Sequence, residues 1–393
     1  MIKRVLILVS ILISSFYCKS ESYKNVTISI LTASPGNELY SLFGHSAIRI
    51  QIPLKGIDVV YNYGVFDFNT PNFGIKFLKG NLDYMLAANN YNDFYQSYFW
   101  DERDLLEQTL NLSKAEKEKI ISLLEENYLP ANRYYRYAFL DNNCATRIRD
   151  IIEQGLNDQS VFNRASTNYP SMTYRQMLRS FLKGYPWVDF GINLALGLPA
   201  DKITNNSEKM FLPEYMRQVA AGSKKLNGEP LVEETRTLLA SIKEPYQTVN
   251  FLTPTSIFFA MLTLSLLGFS ASNYSRIYCS IFYFVLGMLG LVLTTITFVT
   301  EHKAVQQNLN ILWALPLNII FFRAAGKSTI NKIQRYYFII IGIIAIMLLA
   351  SWGHFPQQFH PAIIPILITI VVTAVQISFQ RYTPKTAKLS NKK

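Results

Sequence analysis

Cys144, in Asn142-Asn143-Cys144-Ala145-Thr146-Arg147, and His45, in Phe43-Gly44-His45-Ser46-Ala47-Ile48, are the residue types that make a nucleophile and its base. A thiolate attacks a carbonyl carbon and an imidazole takes and returns the proton, so the pair suits acyl transfer through a thioester. Asn142 or Asn143 can cap a helix running from Cys144 to Gln154, with Gly155 as its stop. A cysteine in that first turn has the helix dipole to stabilise its anion and backbone N–H groups to meet an oxyanion, with Asn142 and Asn143 as supporting donors. The competing reading is packing: Cys144, Ile148, Ile151 and Ile152 fall at i, i+4, i+7 and i+8 of one helical face.

His45 needs a partner to fix its tautomer. In the strand that follows it Ile48, Ile50 and Ile52 share one face, leaving His45, Ala47 and Arg49 on the other. Pro53-Leu54-Lys55-Gly56 reads as a hairpin turn; if Ile52 pairs with Ile57, Asn62 falls diagonally beside His45. Asn62 is therefore the expected orienting residue, against the plainer possibility of a structural histidine at a sheet edge. Tyr91, Phe94, Tyr95, Tyr98 and Phe99 recur at helical spacing, as a lid for lipid tails or, more simply, as core.

The elements around these residues divide in two. Strands are expected over 26–32, 43–52 and 57–66, then helices, one opened by the Ser113/Glu116 capping box and running to about Asn127, which gives an α+β domain. Five charge-free runs follow at 251–270, 278–299, 304–322, 336–350 and 361–379, each near the roughly 20 residues a bilayer requires. The third is interrupted by Pro316 and led by Asn308 and Asn310, which with His302 are candidate membrane-side contributors to the site.

Met1-Ile2-Lys3-Arg4 and the apolar run after it read as an export signal over 1–20, cleaved or retained; Tyr17 disfavours lipidation of Cys18. The expected domains are then an extracytoplasmic catalytic domain at 21–250, a five-helix membrane domain at 251–380 and a basic tail at 381–393. Arg276, then Arg323, Lys327, Lys332 and Arg335, then the tail lysines and Arg381, put cations without acids on alternate sides of the runs. The positive-inside rule makes the tail cytoplasmic and the first domain external. Most of the +11 net charge is therefore topological, which removes the case for nucleic-acid binding. Three cysteines make no disulfide framework, and no metal or cofactor motif appears.

The blocks Leu31-Thr32-Ala33-Ser34-Pro35-Gly36 through Ile50, Tyr61-Asn62-Tyr63-Gly64-Val65-Phe66-Asp67-Phe68, and Asn143-Cys144-Ala145-Thr146-Arg147 together resemble the exported domain of the Lnb-type lipoprotein N-acyltransferases. The likeness continues through Trp187 to Asp201 and Asn308 to Trp313. It implies a circularly permuted papain-like (NlpC/P60-like) domain, with His45 as base and Cys144 as nucleophile, in a bacterial inner membrane with the catalytic domain periplasmic. It also implies a reaction: an acyl chain leaves a phospholipid donor for the α-amine of a diacylglyceryl-cysteine lipoprotein, without a cofactor. A membrane-anchored cysteine phospholipase, a peptidoglycan amidase or peptidase, and a non-catalytic membrane module are the alternatives, since fold alone does not choose among them.

Overall fold

The computed structural model describes residues 25–67, 69–167, 170–241, 251–268 and 273–380. The expected signal (1–20) and basic tail (381–393) lie outside the described residues. Chain contacts divide into two compact units, one from Met1–Tyr174 with Ile203–Pro245, the other from Arg175–Lys202 with Tyr246–Lys393.

The first unit is built on β1 (Thr27–Ala33), β2 (His45–Ile52), β3 (Ile57–Val65), β4 (Asp83–Asn90), β5 (Leu105–Leu110), β6 (Tyr134–Arg136) and β7 (Val232–Leu239). They form one antiparallel sheet in the order β6-β4-β3-β2-β1-β5-β7. Its helices include α1 (Phe73–Lys79), α2 (Tyr91–Trp100), α3 (Lys114–Tyr128) and α4 (Cys144–Leu156). Period-two alternation sends Ile28, Ile30, Ile48 and Ile50 to one face, where they join Ile120 and Leu124 of α3 and Ile148, Ile151 and Ile152 of α4. The opposite face, with Leu31, Ala33, Ala47 and Val60, is covered by Phe94 and Tyr98 of α2. The aromatic stripe is thus mainly core, although Phe99 and Trp100 at its end are exposed.

Gly56, with φ 62, closes the β2–β3 turn in the left-handed conformation glycine takes without strain, and Ile52 pairs with Ile57. The β3–β4 register shifts between Asn62 and Val65, a bulge containing Gly64 at φ 90. The capping box at Ser113 and Glu116 opens α3. Gly155 does not end α4: the helix runs to Leu156 and stops at Asn157, whose φ is 51. A Cβ on Gly155 would stand 2.2 Å from Ile120 Cγ1, so this glycine serves the close α3–α4 contact instead.

The second unit is helical. It contains α5 (Pro186–Ala195), α6 (Pro254–Leu267), α7 (Asn273–Val299), α8 (Asn318–Ala325), α9 (Lys332–Ala350) and α10 (Ile363–Val375). Tyr283, Leu286, Phe338, Ile341, Leu367 and Ile370 lie in its core. The outer face of α7, with Ile277, Ile281, Val285 and Val292 all exposed, is apolar, as a lipid-facing surface is. Among the described residues α7 and α9 are long and apolar enough to cross a bilayer, and two shorter apolar helices, Pro254–Leu267 and Ile363–Phe379, accompany them.

The run expected as a third spanning helix, 304–322, is not one helix. It forms short 3-10 turns at Lys303–Val305 and Leu309–Leu312, and only α8 follows. Pro316 supplies no N–H to a helical ladder. Asn308 and Asn310 turn instead to the end of α5: Asn308 Nδ2 donates to the carbonyls of Leu194 (2.7 Å) and Ala195 (3.1 Å), and Asn310 Nδ2 to that of Leu194 (3.2 Å). These carbonyls have no partner within α5, so the two asparagines complete a helix terminus. The adjoining Gly197 tolerates no side chain, because a Cβ there would fall 1.8 Å from Gln306 O.

Candidate active site

The start of α4 is held by Asn143. Its Oδ1 accepts from the N–H groups of Ala145 (2.9 Å) and Thr146 (3.0 Å), while Thr146 Oγ1 accepts from Asn143 N–H at 2.7 Å. Its Nδ2 donates to the carbonyls of Phe139 (2.8 Å) and Phe211 (2.7 Å). With both amide hydrogens used, the Asn143 side chain fixes where the helix begins. Asn142 is half-buried and donates to Arg136 O at 2.6 Å, which ties the loop together.

That cap places Cys144 in the first helical turn as a free thiol, 9% exposed. Ile148, Ile151 and Ile152 fill the core, and the sulfur stands at the end of the same stripe.

His45 is the first residue of β2. Its Nε2 lies 2.6 Å from Asn62 Oδ1, which can only accept, so Nε2 carries the hydrogen and Nδ1 remains for the thiol. The ring lies close enough to the Cys144 side chain for each to shift the other's proton affinity. Burial pushes the thiol up, but the charge and hydrogen bond of His45, with the N–H groups of Ser46 and Ala145, more than offset it and hold Cys144 below its ordinary value. Burial pushes the imidazole down and Arg103 adds to that; the Cys144 anion and the bonds to Cys144 and Asn62 outweigh both, so His45 is raised. The two shifts favour a thiolate–imidazolium pair, which titrates as a unit. Alkylation of Cys144 by iodoacetamide, followed by peptide mass spectrometry, is therefore expected to rise with pH around a midpoint below the ordinary 9.0. In His45→Ala that midpoint moves up; a wild-type midpoint at or above that of a free thiol would contradict the pair.

Two site features were not read from the sequence. Gly64, in the β3 bulge, leaves open a space where a Cβ would stand 3.6 Å from Cys144 Cβ and 4.0 Å from the Tyr135 hydroxyl. Tyr135 itself is 8% exposed, and its hydroxyl has no hydrogen-bond partner among the described residues; the Gly64 N–H approaches it but falls short of bonding geometry. Burial, then the nearby Cys144 anion, pushes this phenol well above its ordinary value, so it stays a donor. Arg147 lies over its ring at 4.4 Å. The tyrosine-rich run Tyr134-Tyr135-Arg136-Tyr137 shortly before the cysteine is the available signal.

His302, Asn308 and Asn310 belong to the second unit, and Cys144, His45 and Asn62 to the first. Asn308 and Asn310 have the capping role given above, and His302 precedes a 3-10 turn. Among the described residues no group of three His, Cys, Asp or Glu is placed to hold a metal ion.

Comparison with known proteins matches the chain in two stretches. A family model described as the Lnb N-terminal periplasmic domain matches residues 16–180, and one described as the Lnb transmembrane domain matches residues 246–385. No curated protein and no solved structure matches the chain.

Proposed function

Because the chain belongs to the Lnb family through both its periplasmic and its transmembrane domain, we propose that it is a lipoprotein N-acyltransferase working through a thioester on Cys144. The observation that carries this reading is the thiol at a helix start, beside an imidazole whose far nitrogen is 2.6 Å from Asn62. The histidine strand preceding the cysteine helix in the chain is the order of a permuted papain-like domain.

In the first half-reaction the Cys144 thiolate attacks the ester carbonyl of a glycerophospholipid. The carbonyl oxygen takes the negative charge, and the Cys144 N–H and the Tyr135 hydroxyl are the donors for it. The carbon–oxygen bond to glycerol then breaks, the His45 imidazolium gives its proton to the departing oxygen, and lysophospholipid leaves. In the second half-reaction the α-amine of a diacylglyceryl-cysteine lipoprotein attacks the thioester, His45 takes the amine proton, and the carbon–sulfur bond breaks to restore the thiolate. The chain's membrane helices keep this chemistry where both lipid substrates reside, which raises their effective concentration at the thiol. The inner membrane is the expected location, with the carboxyl tail cytoplasmic by the charge pattern.

Acid quenching of the protein after incubation with a defined phospholipid is expected to trap one acyl group on the Cys144 peptide by mass spectrometry. Adding a diacylated lipopeptide then discharges it as the N-acylated product. Discharge to water alone would reassign the protein as a hydrolase, and triacylated product without any Cys144 adduct would remove the thioester.

A further inference from the structure

Helix α1 has an exterior that a protein surface in water seldom carries. Ile75, Phe77 and Leu78 are 57%, 49% and 64% exposed, and the only charged residues on the helix are Lys76 and Lys79. Apolar side chains interleaved with cations suit a lipid surface, where apolar groups enter the acyl region and ammonium groups meet phosphates.

A second observation ties this helix to the thiol. Phe77 stacks on Phe73 at 6.2 Å, Phe73 meets Phe66 at 5.8 Å, Phe66 meets Tyr84 at 5.2 Å, and Tyr84 stacks on Tyr137 at 4.3 Å. Phe66, Phe73 and Tyr137 pack against the core cluster that includes Cys144. An unbroken aromatic row thus joins the exposed helix to the site.

We propose that α1 is an interfacial helix that seats in the outer surface of the bilayer, so that a phospholipid donor meets the periplasmic domain there. The proposal rests on the acyl-transfer reading for its purpose but not for its test. A helix of seven residues binds a bilayer weakly by itself, and here the membrane domain of the same chain supplies the tether. Lipid is the occupant favoured over a second protein because the exposed apolar residues share the helix with unpaired-sign charge: cations are present and acids are absent.

The test uses the full chain in nanodiscs, with Cys18, Cys144 and Cys279 replaced by alanine and one new cysteine carrying an environment-sensitive fluorophore. Leu78→Cys reports on α1. Leu54→Cys, also strongly exposed but at the opposite end of the β2–β3 hairpin, is the control. Lipids with a quencher on the acyl chain are expected to quench the Leu78 position at least two-fold more than Leu54. Equal quenching at the two positions, or none at Leu78, overturns the proposal. So does energy transfer between labels at Leu78 on two copies of the chain without lipid quenching, which would assign this face to self-association. Because the protein used lacks Cys144, the outcome is independent of whether the thioester forms.

Discussion

Cys144→Ala and His45→Ala are each expected to lower N-acylation of a diacylated lipopeptide by about 10⁴-fold or more, and the double variant to fall little further, as members of one catalytic unit do. In the proposed mechanism the Cys144 sulfur holds the acyl group, so no other residue substitutes for it. Removing the imidazole takes away the positive partner and the hydrogen bond that lower the thiol, leaving burial to raise it. Asn62→Ala is expected to cost less, since the ring stays but is no longer held at 2.6 Å through Nε2. Cys144→Ala removes one sulfur from the edge of the core, so a melting curve close to wild type, beside lost turnover, separates catalysis from folding. A non-catalytic module requires the reverse: both single variants would leave the lipoproteins of the cell triacylated. That result would end the enzymatic reading.

The parts of this arrangement legible beforehand are those governed by short-range rules. A four-residue turn with Gly56 at its end sets the β2–β3 register, and a period of two then places Asn62 near His45 without knowledge of the rest of the sheet. The cap at Asn143 follows likewise from a local preference of asparagine for helix starts. What was not legible depends on long-range pairing or on which surface a segment finds. The three-residue strand β6 exists because Tyr84 pairs with Tyr135, across a long stretch of intervening chain. Gly155 looked like a helix stop because glycine often is one, whereas its actual role comes from Ile120 on another helix.

The broken run at 304–322 shows the same limit from the apolar side. Hydropathy registers the content of a segment but not whether its polar residues have carbonyls to satisfy, and here Asn308 and Asn310 find those of α5. Gly287 and Gly290 on α7 let this irregular backbone come close: a Cβ on Gly290 would lie 1.9 Å from Ala314 O. Non-helical backbone at membrane depth is tolerated where protein surrounds it, and Asn310 is fully buried. For the same reason residues 175–202, which precede the first apolar run, cluster with the membrane unit. Within that segment Arg175 is buried and bonded to both Asp201 oxygens at 2.8 and 2.9 Å and to the carbonyls of Asn193, Leu196 and Gly197.

Tyr135→Phe is expected to reduce kcat/KM for acyl transfer by about 10²- to 10³-fold while leaving the melting temperature unchanged or higher. The two signs come from one atom. In the resting protein the Tyr135 hydroxyl is buried without a partner among the described residues, which costs stability, and phenylalanine keeps the ring beneath Arg147 while removing that cost. The same hydroxyl lies beside Gly64 and Cys144, where the proposed mechanism puts the negative ester oxygen. An unsatisfied donor kept for a charge that exists only in the transition state strengthens binding there and not in the ground state, so the loss falls on kcat rather than on KM alone. A merely structural tyrosine gives the opposite pattern, with turnover within two-fold of wild type and a lower melting temperature. Measured side by side on one preparation, the rate and the melting curve therefore decide whether Tyr135 serves the oxyanion or the core.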